Sequence, residues 1–217
     1  MGTGSGLEPR TVPGGKASMS RILKCGLWLP VAFAIVSCGV PRTYYYTIEM
    51  PRATRGGGVP VDRRIVVQRL RADQVLVDDR ILYRERPNEV RFYEYRRWAN
   101  PPVDIVTNYL MHRLKESGDY SSVSSYKTAG PSDLTLRGRL YHFEEVDRGK
   151  EVIASVAMEL ELTDNKTQAS VWRGEAECTR PVAIRDMSGI VGGISECLDE
   201  TASKLLGSMR QEIGKGN

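Results

Sequence analysis

The sequence predicts an α+β two-layer domain, in which a mainly antiparallel sheet carries two amphipathic helices packed on one face. Two observations predict this class. Three consecutive segments alternate apolar and polar residues with a period of two, and two longer segments repeat apolar residues at helical spacing. The apolar fraction of 41% and the charged fraction of 27% are typical of globular domains, so we expect a folded core.

The strands are predicted from alternation and from turn signals. Residues 42–50 and 63–70 are rich in β-forming residues, and a loop rich in Pro and Gly separates them. Residues 80–96 contain two short aromatic segments on either side of a Pro-Asn turn, which predicts a hairpin. A meander of three strands follows, with apolar residues on one face, over residues 133–143, 152–162 and 170–180.

The helices are predicted from their apolar stripes and their end signals. For the first helix, Asn100 is the expected N-cap, Pro101 suits the first turn, and Gly118 ends the helix. The second helix begins near Ser188. The two stripes are Val103, Val106, Leu110 and Leu114 in the first helix, and Ile190, Val191, Ile194, Leu198, Ala202, Leu205, Met209 and Ile213 in the second.

The N-terminal residues predict export and lipid attachment. Basic residues precede an apolar core of about ten to twelve residues, which is shorter than the roughly 20 that a spanning helix needs. The core ends in "IVSC", which resembles the bacterial lipobox and assigns Cys38 as the lipidated residue. Both Met1 and Met19 stay open as the translation start. We therefore predict a removed leader and lipoprotein signal peptide over residues 1–37.

The rest of the chain is divided into an anchor region and one domain. Residues 38–62 hold the lipid anchor, the first strand and a loop, and residues 63–213 form a single α+β domain. The net charge of +4 comes mainly from the N-terminal segment, and basic and acidic residues nearly balance after Cys38. This balance gives no indication of a nucleic-acid partner.

The sequence contains no catalytic signature. The two histidines, His112 and His142, have no carboxylate or thiol at metal-ligand spacing, so surface or packing roles are expected. The glycines at 56–58 lack the Lys and Ser/Thr of a P-loop. The sequence predicts that the protein is not an enzyme, and that it holds no metal and no cofactor beyond the covalent lipid on Cys38.

One segment has the composition of a protein interface. Residues 90–102 interleave arginines with aromatic residues, and Tyr, Trp and Arg are enriched at interface cores. We predict a homo-oligomer with Tyr95, Arg97 and Trp98 near a contact. In the alternative, the same strand packs within its own domain, with arginine stems lying against the rings.

Two further cysteines are candidates for a disulfide. Cys178 ends the last strand on its apolar face, and Cys197 lies near the apolar stripe of the last helix. A helix that folds back over the sheet brings both into the layer between them, in an oxidising compartment. The alternative is two buried thiols that face different neighbours.

The sequence "RPNEVRFYEYRRWANPP" at residues 86–102 resembles the ABC-type transport auxiliary lipoprotein family. The resemblance covers about residues 42–213, and the pair Cys178 and Cys197 departs from the family's pattern. The residues that match the family's core motif are Asn88, Val90, Phe92, Glu94, Tyr95, Trp98, Ala99 and Pro101.

The resemblance implies an outer-membrane-anchored periplasmic lipoprotein, which is a subunit of an ABC/MCE-type lipid transport system. Its implied role is docking or binding in lipid trafficking between membranes, and its implied partners are an MCE-domain protein and ABC transporter components. Gly39 after the cysteine, instead of Asp, favours the outer membrane, and an inner-membrane location stays open. The alternative is a structural assembly lipoprotein for an outer-membrane complex, without lipid handling.

Overall fold

The computed structural model describes three stretches of the chain, residues 41–50, 61–128 and 130–215. The chain divides into Met1–Gly39 and Val40–Asn217, and all described elements belong to the second unit. The predicted leader, Cys38 and most of the predicted loop lie outside the described residues. The boundaries 1–37, 38–62 and 63–213 therefore stay predictions.

The described residues form nine strands and two helices, joined in part by a short 3-10 turn at Gln74–Leu76. The strands are β1 (Tyr44–Tyr46), β2 (Val61–Val67), β3 (Arg71–Ala72), β4 (Arg80–Arg86), β5 (Glu89–Trp98), β6 (Tyr120–Ser125), β7 (Leu134–Asp147), β8 (Val152–Asp164) and β9 (Ser170–Pro181). The helices are α1 (Pro102–Ser117) and α2 (Met187–Lys215).

The sheet is organised around β7. One edge of β7 pairs with β8, which pairs in turn with β9, and this is the predicted antiparallel meander. The other edge pairs in succession with β2, β3 and β4, all parallel to β7. Beyond β7 the sheet therefore forks, since β2 continues to β6 while β4 continues to β5 and β1.

The predicted two-layer α+β class is confirmed, and the sheet is mixed. The hairpin β4–β5 and the meander are antiparallel as predicted. The pairs β1–β5 and β2–β6 add further parallel contacts. Helix α1 connects β5 to β6, which enters the sheet at the far side of β2 and runs parallel to it.

A bulge in β7 sets which side chains enter the core. The register with β8 shifts between Leu140 and His142. Leu136 and Leu140 face the core before the shift, and Phe143 is buried after it. His142 is left half-exposed, because the extra residue reverses the alternation of the strand.

The helix ends differ in part from the prediction. Asn100 is not the N-cap, because α1 begins at Pro102 and Pro101 occupies the capping position without a side-chain hydrogen bond. The Pro101 carbonyl accepts hydrogen bonds from the backbone N–H groups of Asp104 and Ile105. The predicted stop at Gly118 is confirmed, since this residue is left-handed with φ of 66°.

We expect Gly118→Ala to lower the free energy of unfolding by about 1 kcal/mol, because a Cβ in the left-handed region is strained although the surrounding space is open. The matched control is Gly207→Ala inside α2, where a Cβ also meets open space. This change should raise stability by about 0.5–1 kcal/mol. Urea unfolding curves of the two variants measure both effects, and a Gly118→Ala variant as stable as the wild type would contradict the capping role.

Candidate functional site

A groove of about 780 Å³ runs along α2 and is a candidate binding site. Helix α2 supplies most of its wall, and the segment after β1, helix α1 and strand β9 supply the rest. The lining residues are Glu49, Met50, Tyr109, Arg180, Ser195, Glu196, Asp199, Glu200 and Ser203.

Hydrogen bonds between α1 and α2 hold one side of this groove. The Tyr109 hydroxyl donates to the Asp199 carboxylate at 2.6 Å. Arg113 donates to the same carboxylate and to the Ser203 hydroxyl, at 3.0 Å for the latter. Burial, with the neighbouring Asp199 charge, raises the pKa of Tyr109, so its hydroxyl stays a donor at neutral pH.

The side chain of Arg180 reaches from β9 across the groove to two glutamates of α2. Its guanidinium donates to Glu196 at 2.7 Å and to Glu200 at 2.9 Å. With Glu49 and Asp199, four carboxylates line the groove, whereas two arginines oppose them, Arg180 at Glu196 and Glu200 and Arg113 at Asp199. The groove therefore has an acidic character, which suits a guest that presents positive or hydrogen-bond donor groups.

The groove lacks the geometry of an acyl-transfer site. The Ser195 hydroxyl donates to the Val191 carbonyl at 2.8 Å within the helix, and no histidine lines the groove. In the described residues, no group of three or more His, Cys, Asp or Glu side chains is arranged to hold a metal ion. This arrangement can bind a partner through charge and shape.

Two buried carboxylates lie next to each other on β7. Glu144 and Glu145 are each 3% exposed. Glu144 accepts hydrogen bonds from the Arg84 guanidinium at 2.8 and 2.9 Å and lies 3.0 Å from the His142 ring. Glu145 accepts a hydrogen bond from the Tyr93 hydroxyl at 2.8 Å. Each carboxylate thus has its own partners.

The structure places the three predicted interface residues in different environments. Tyr95 is 39% exposed, and its hydroxyl donates to Glu94. Arg97 is half-buried and donates to Asp79 at 2.6 Å. Trp98 is only 1% exposed and packs on Phe143, with ring centroids 5.2 Å apart. Trp98 is thus a core residue of this chain, because β5 turns its side chain inward, and the predicted contact near Tyr95, Arg97 and Trp98 stays a prediction.

The structure brings the two candidate disulfide cysteines together. Their Cα atoms lie 5.2 Å apart and their sulfur atoms 2.19 Å apart, so the side chains join β9 to α2. Both residues are buried in the main core. Formation of the bond in the cell stays a prediction.

Comparison with known families gives the identity of this fold. Residues 46–205 match the model of the ABC-type transport auxiliary lipoprotein component. The chain belongs to this family of transport-associated, membrane-anchored envelope lipoproteins. The description is that of an auxiliary transport component and not of an enzyme. A search of curated proteins finds no match to the sequence.

Solved structures share the fold of this auxiliary lipoprotein. A crystal structure from Xanthomonas campestris is 20% identical, covers 80% of this chain and 98% of its own, and has a TM-score of 0.71. A second crystal structure, of an uncharacterized protein, is 13% identical, covers 80% of this chain and 99% of its own, and has a TM-score of 0.62.

The groove was not predicted from the sequence, although a signal for it exists. Its residues on α2 recur at intervals of four: Ser195, Asp199 and Ser203 form one row and Glu196 and Glu200 the next. Such rows mark one polar face of a helix. They are normally interpreted as a solvated surface, and only the positions of Tyr109 and Arg180 in three dimensions convert this face into a groove.

We predict that Cys178 and Cys197 are bonded in the exported protein. The denatured, unreduced protein should then gain no mass from a thiol-alkylating reagent. Reduction should lower the free energy of unfolding by about 3 kcal/mol, because it opens a loop with a sequence separation of 19 residues. The Cys178→Ala/Cys197→Ala double variant is the control, since reductant should leave its stability unchanged. Two alkyl additions to the wild type without reduction would refute the bond.

Burial raises the pKa of Glu145 above its ordinary value of 4.5, although the Tyr93 hydrogen bond acts in the opposite direction. The folded state therefore binds this proton more tightly than the unfolded chain, and ionised Glu145 lowers stability at neutral pH. This cost disappears as the pH falls through the raised pKa of the folded state.

We accordingly expect Glu145→Gln to be more stable than the wild type at pH 7, with a difference that shrinks as the pH approaches 4.5. Urea unfolding at several pH values measures this difference. The exposed Glu177→Gln on β9 controls for the loss of one negative charge. A Glu145→Gln variant whose advantage stays constant across this pH range would contradict the assignment.

Proposed function

We propose that this lipoprotein is an outer-membrane-anchored, periplasmic docking subunit of an ABC/MCE-type lipid transport system. The observation that carries the proposal is the family match over residues 46–205. A signal segment that ends in a lipobox at Cys38 supports it, since covalent acylation attaches an exported protein to a membrane. Gly39 in place of Asp supports the outer membrane.

The geometry favours docking of a polypeptide over carriage of an acyl chain within the domain. The space between sheet and helices is filled by large buried side chains such as Leu136, Met158 and Leu198. The groove along α2 is open and lined by carboxylates, and burying acyl methylenes against ionised groups has little hydrophobic benefit. A positively charged segment of an MCE-domain protein fits it better.

Self-association is part of the same proposal. Among the described strands, β6 and β9 each pair along one edge only, so a further strand can pair with their other edges. Tyr95 is exposed on β5 beside β1, and Arg97 is half-exposed on the same strand. A homo-oligomer that uses this region would present several copies of the groove to one transporter.

The lipid anchor is tested by Cys38→Ser. Cells that express the wild type or the variant are labelled with a clickable palmitate, and the protein is isolated. We expect label on the wild type and none on the variant, because acylation requires the thiol of this residue. Cys178→Ser is the matched control and should keep its label. Equal labelling of wild type and Cys38→Ser would contradict the lipobox assignment.

The docking role is tested by photo-crosslinking in living cells. A photoreactive amino acid replaces Glu196 in the groove, or Glu177 on the exposed side of β9 as the control. We expect the first position to form crosslinks to an MCE-domain protein and the second to form none. Crosslinks from the groove only to an outer-membrane barrel or its assembly machinery would contradict the transport role and favour the structural assembly alternative.

A further inference from the structure

Two consecutive tyrosines are exposed at the start of the described domain. Tyr44 is 58% and Tyr45 is 64% exposed. They belong to β1, which pairs with β5 along one edge, with Tyr44 opposite Arg96 and Tyr45 opposite Arg97. Successive side chains of a strand point to opposite faces. Tyr44 and Tyr45 are therefore exposed on opposite faces of β1, and among the described residues no strand pairs with its second edge.

This pair differs from the other exposed apolar side chains of the described domain. Single exposed apolar residues are normal and need no explanation. The two tyrosines instead place one exposed aromatic ring on each face of the same edge strand, so this edge presents apolar surface on both sides. The remaining exposed large side chains lie elsewhere along the chain: Met50, Tyr126, Tyr141, Val171 and Ile184.

The position of the pair along the chain limits what can cover it. Tyr44 follows Cys38 by six positions, and an extended chain of that length spans at most about 20 Å. An acylated Cys38 lies at the surface of the bilayer. The tether therefore keeps β1 near the headgroups at all times, which gives this surface a high effective concentration of lipid.

The chemistry of the pair fits that position. Tyrosine combines an apolar ring with a polar hydroxyl and is enriched at the level of the lipid headgroups. Arg42 is exposed two residues earlier and adds a positive charge toward anionic lipids. The nearby carboxylates of Asp78 and Asp79 are paired with Arg80 and Arg97, so their negative charge is compensated.

We propose that Arg42, Tyr44 and Tyr45 form a membrane-contact surface, which lies in the headgroup layer of the bilayer that holds the anchor. The surface fixes the orientation of the domain, because β1 is part of its sheet through β5. The proposal rests on the acylation of Cys38. It is independent of which transporter the lipoprotein serves.

The test places a tryptophan at the proposed contact in the full-length protein, which is expressed in bacteria and purified from their membranes. Tyr45→Trp is compared with Tyr126→Trp, which lies just after β6, at the opposite end of the sheet, and is equally exposed at 66%. Trp98 and Trp172 are buried and give both variants the same background. The proteins are reconstituted in vesicles of phosphatidylethanolamine and phosphatidylglycerol with bromine near the headgroup end of the acyl chains.

We expect the emission of Tyr45→Trp to shift to shorter wavelength and to lose intensity in brominated vesicles, while Tyr126→Trp shows neither change. An acylated protein in which the two variants respond alike would overturn the membrane contact. A blue shift of Tyr45→Trp in detergent that grows with protein concentration would assign the surface to a second copy of the chain, and would overturn it too. The intact mass is measured first, so that an absent acyl chain, which contradicts the anchor itself, is recognised separately.

Discussion

The hydrogen bonding of β7 along both of its edges is the constraint on which the rest of this structure depends. Its 14 residues pair with β8 on one side and with three shorter strands on the other. Of these shorter strands, β3 has two residues and β2 and β4 have seven each, and their shared pairing with β7 joins them into one sheet. The bulge near Tyr141 then rotates the second half of β7, so that Phe143 meets Trp98 in the core and Glu144 and Glu145 obtain separate buried partners.

The positions of the groove and of the β1 tyrosines depend on this strand. Helix α2 lies on β8 and β9, which β7 holds in register, and Cys178 and Cys197 meet between the last strand and this helix. The groove forms where the polar face of α2 meets Tyr109 and Arg180. The tyrosines of β1 reach the same sheet through the other branch of the fork, by way of β4 and β5. A docking groove and an anchor-proximal edge are thus carried by one continuous sheet.

Elements whose sequence signal lies within a short segment could be predicted, whereas elements that depend on distant strands could not. The meander and both helices were predicted because their apolar periods are strict and their turns are short. Strand β6 was not predicted, since its Ser-rich sequence has no alternation, and it becomes a strand only by pairing with β2. Parallel pairing joins strands that are far apart in the sequence, so the mixed sheet could not be predicted from single segments. Trp98 was assigned to an interface because interfaces and cores share aromatic composition, and only the register of β5 separates the two. Cys178 and Cys197 could be placed near each other because each position follows from a local period.

The measurement that tests the central role of β7 most directly is native-state hydrogen exchange, resolved by residue. The amides of β7 between Leu136 and Phe143, and those of β8 paired with them, should exchange slowest. Their free energy of opening should equal the free energy of global unfolding. Those of β1 and β6 should open at lower cost, because each strand pairs along a single edge. If the amides of β7 exchange as fast as those of β6, the sheet does not depend on this strand and the account is contradicted.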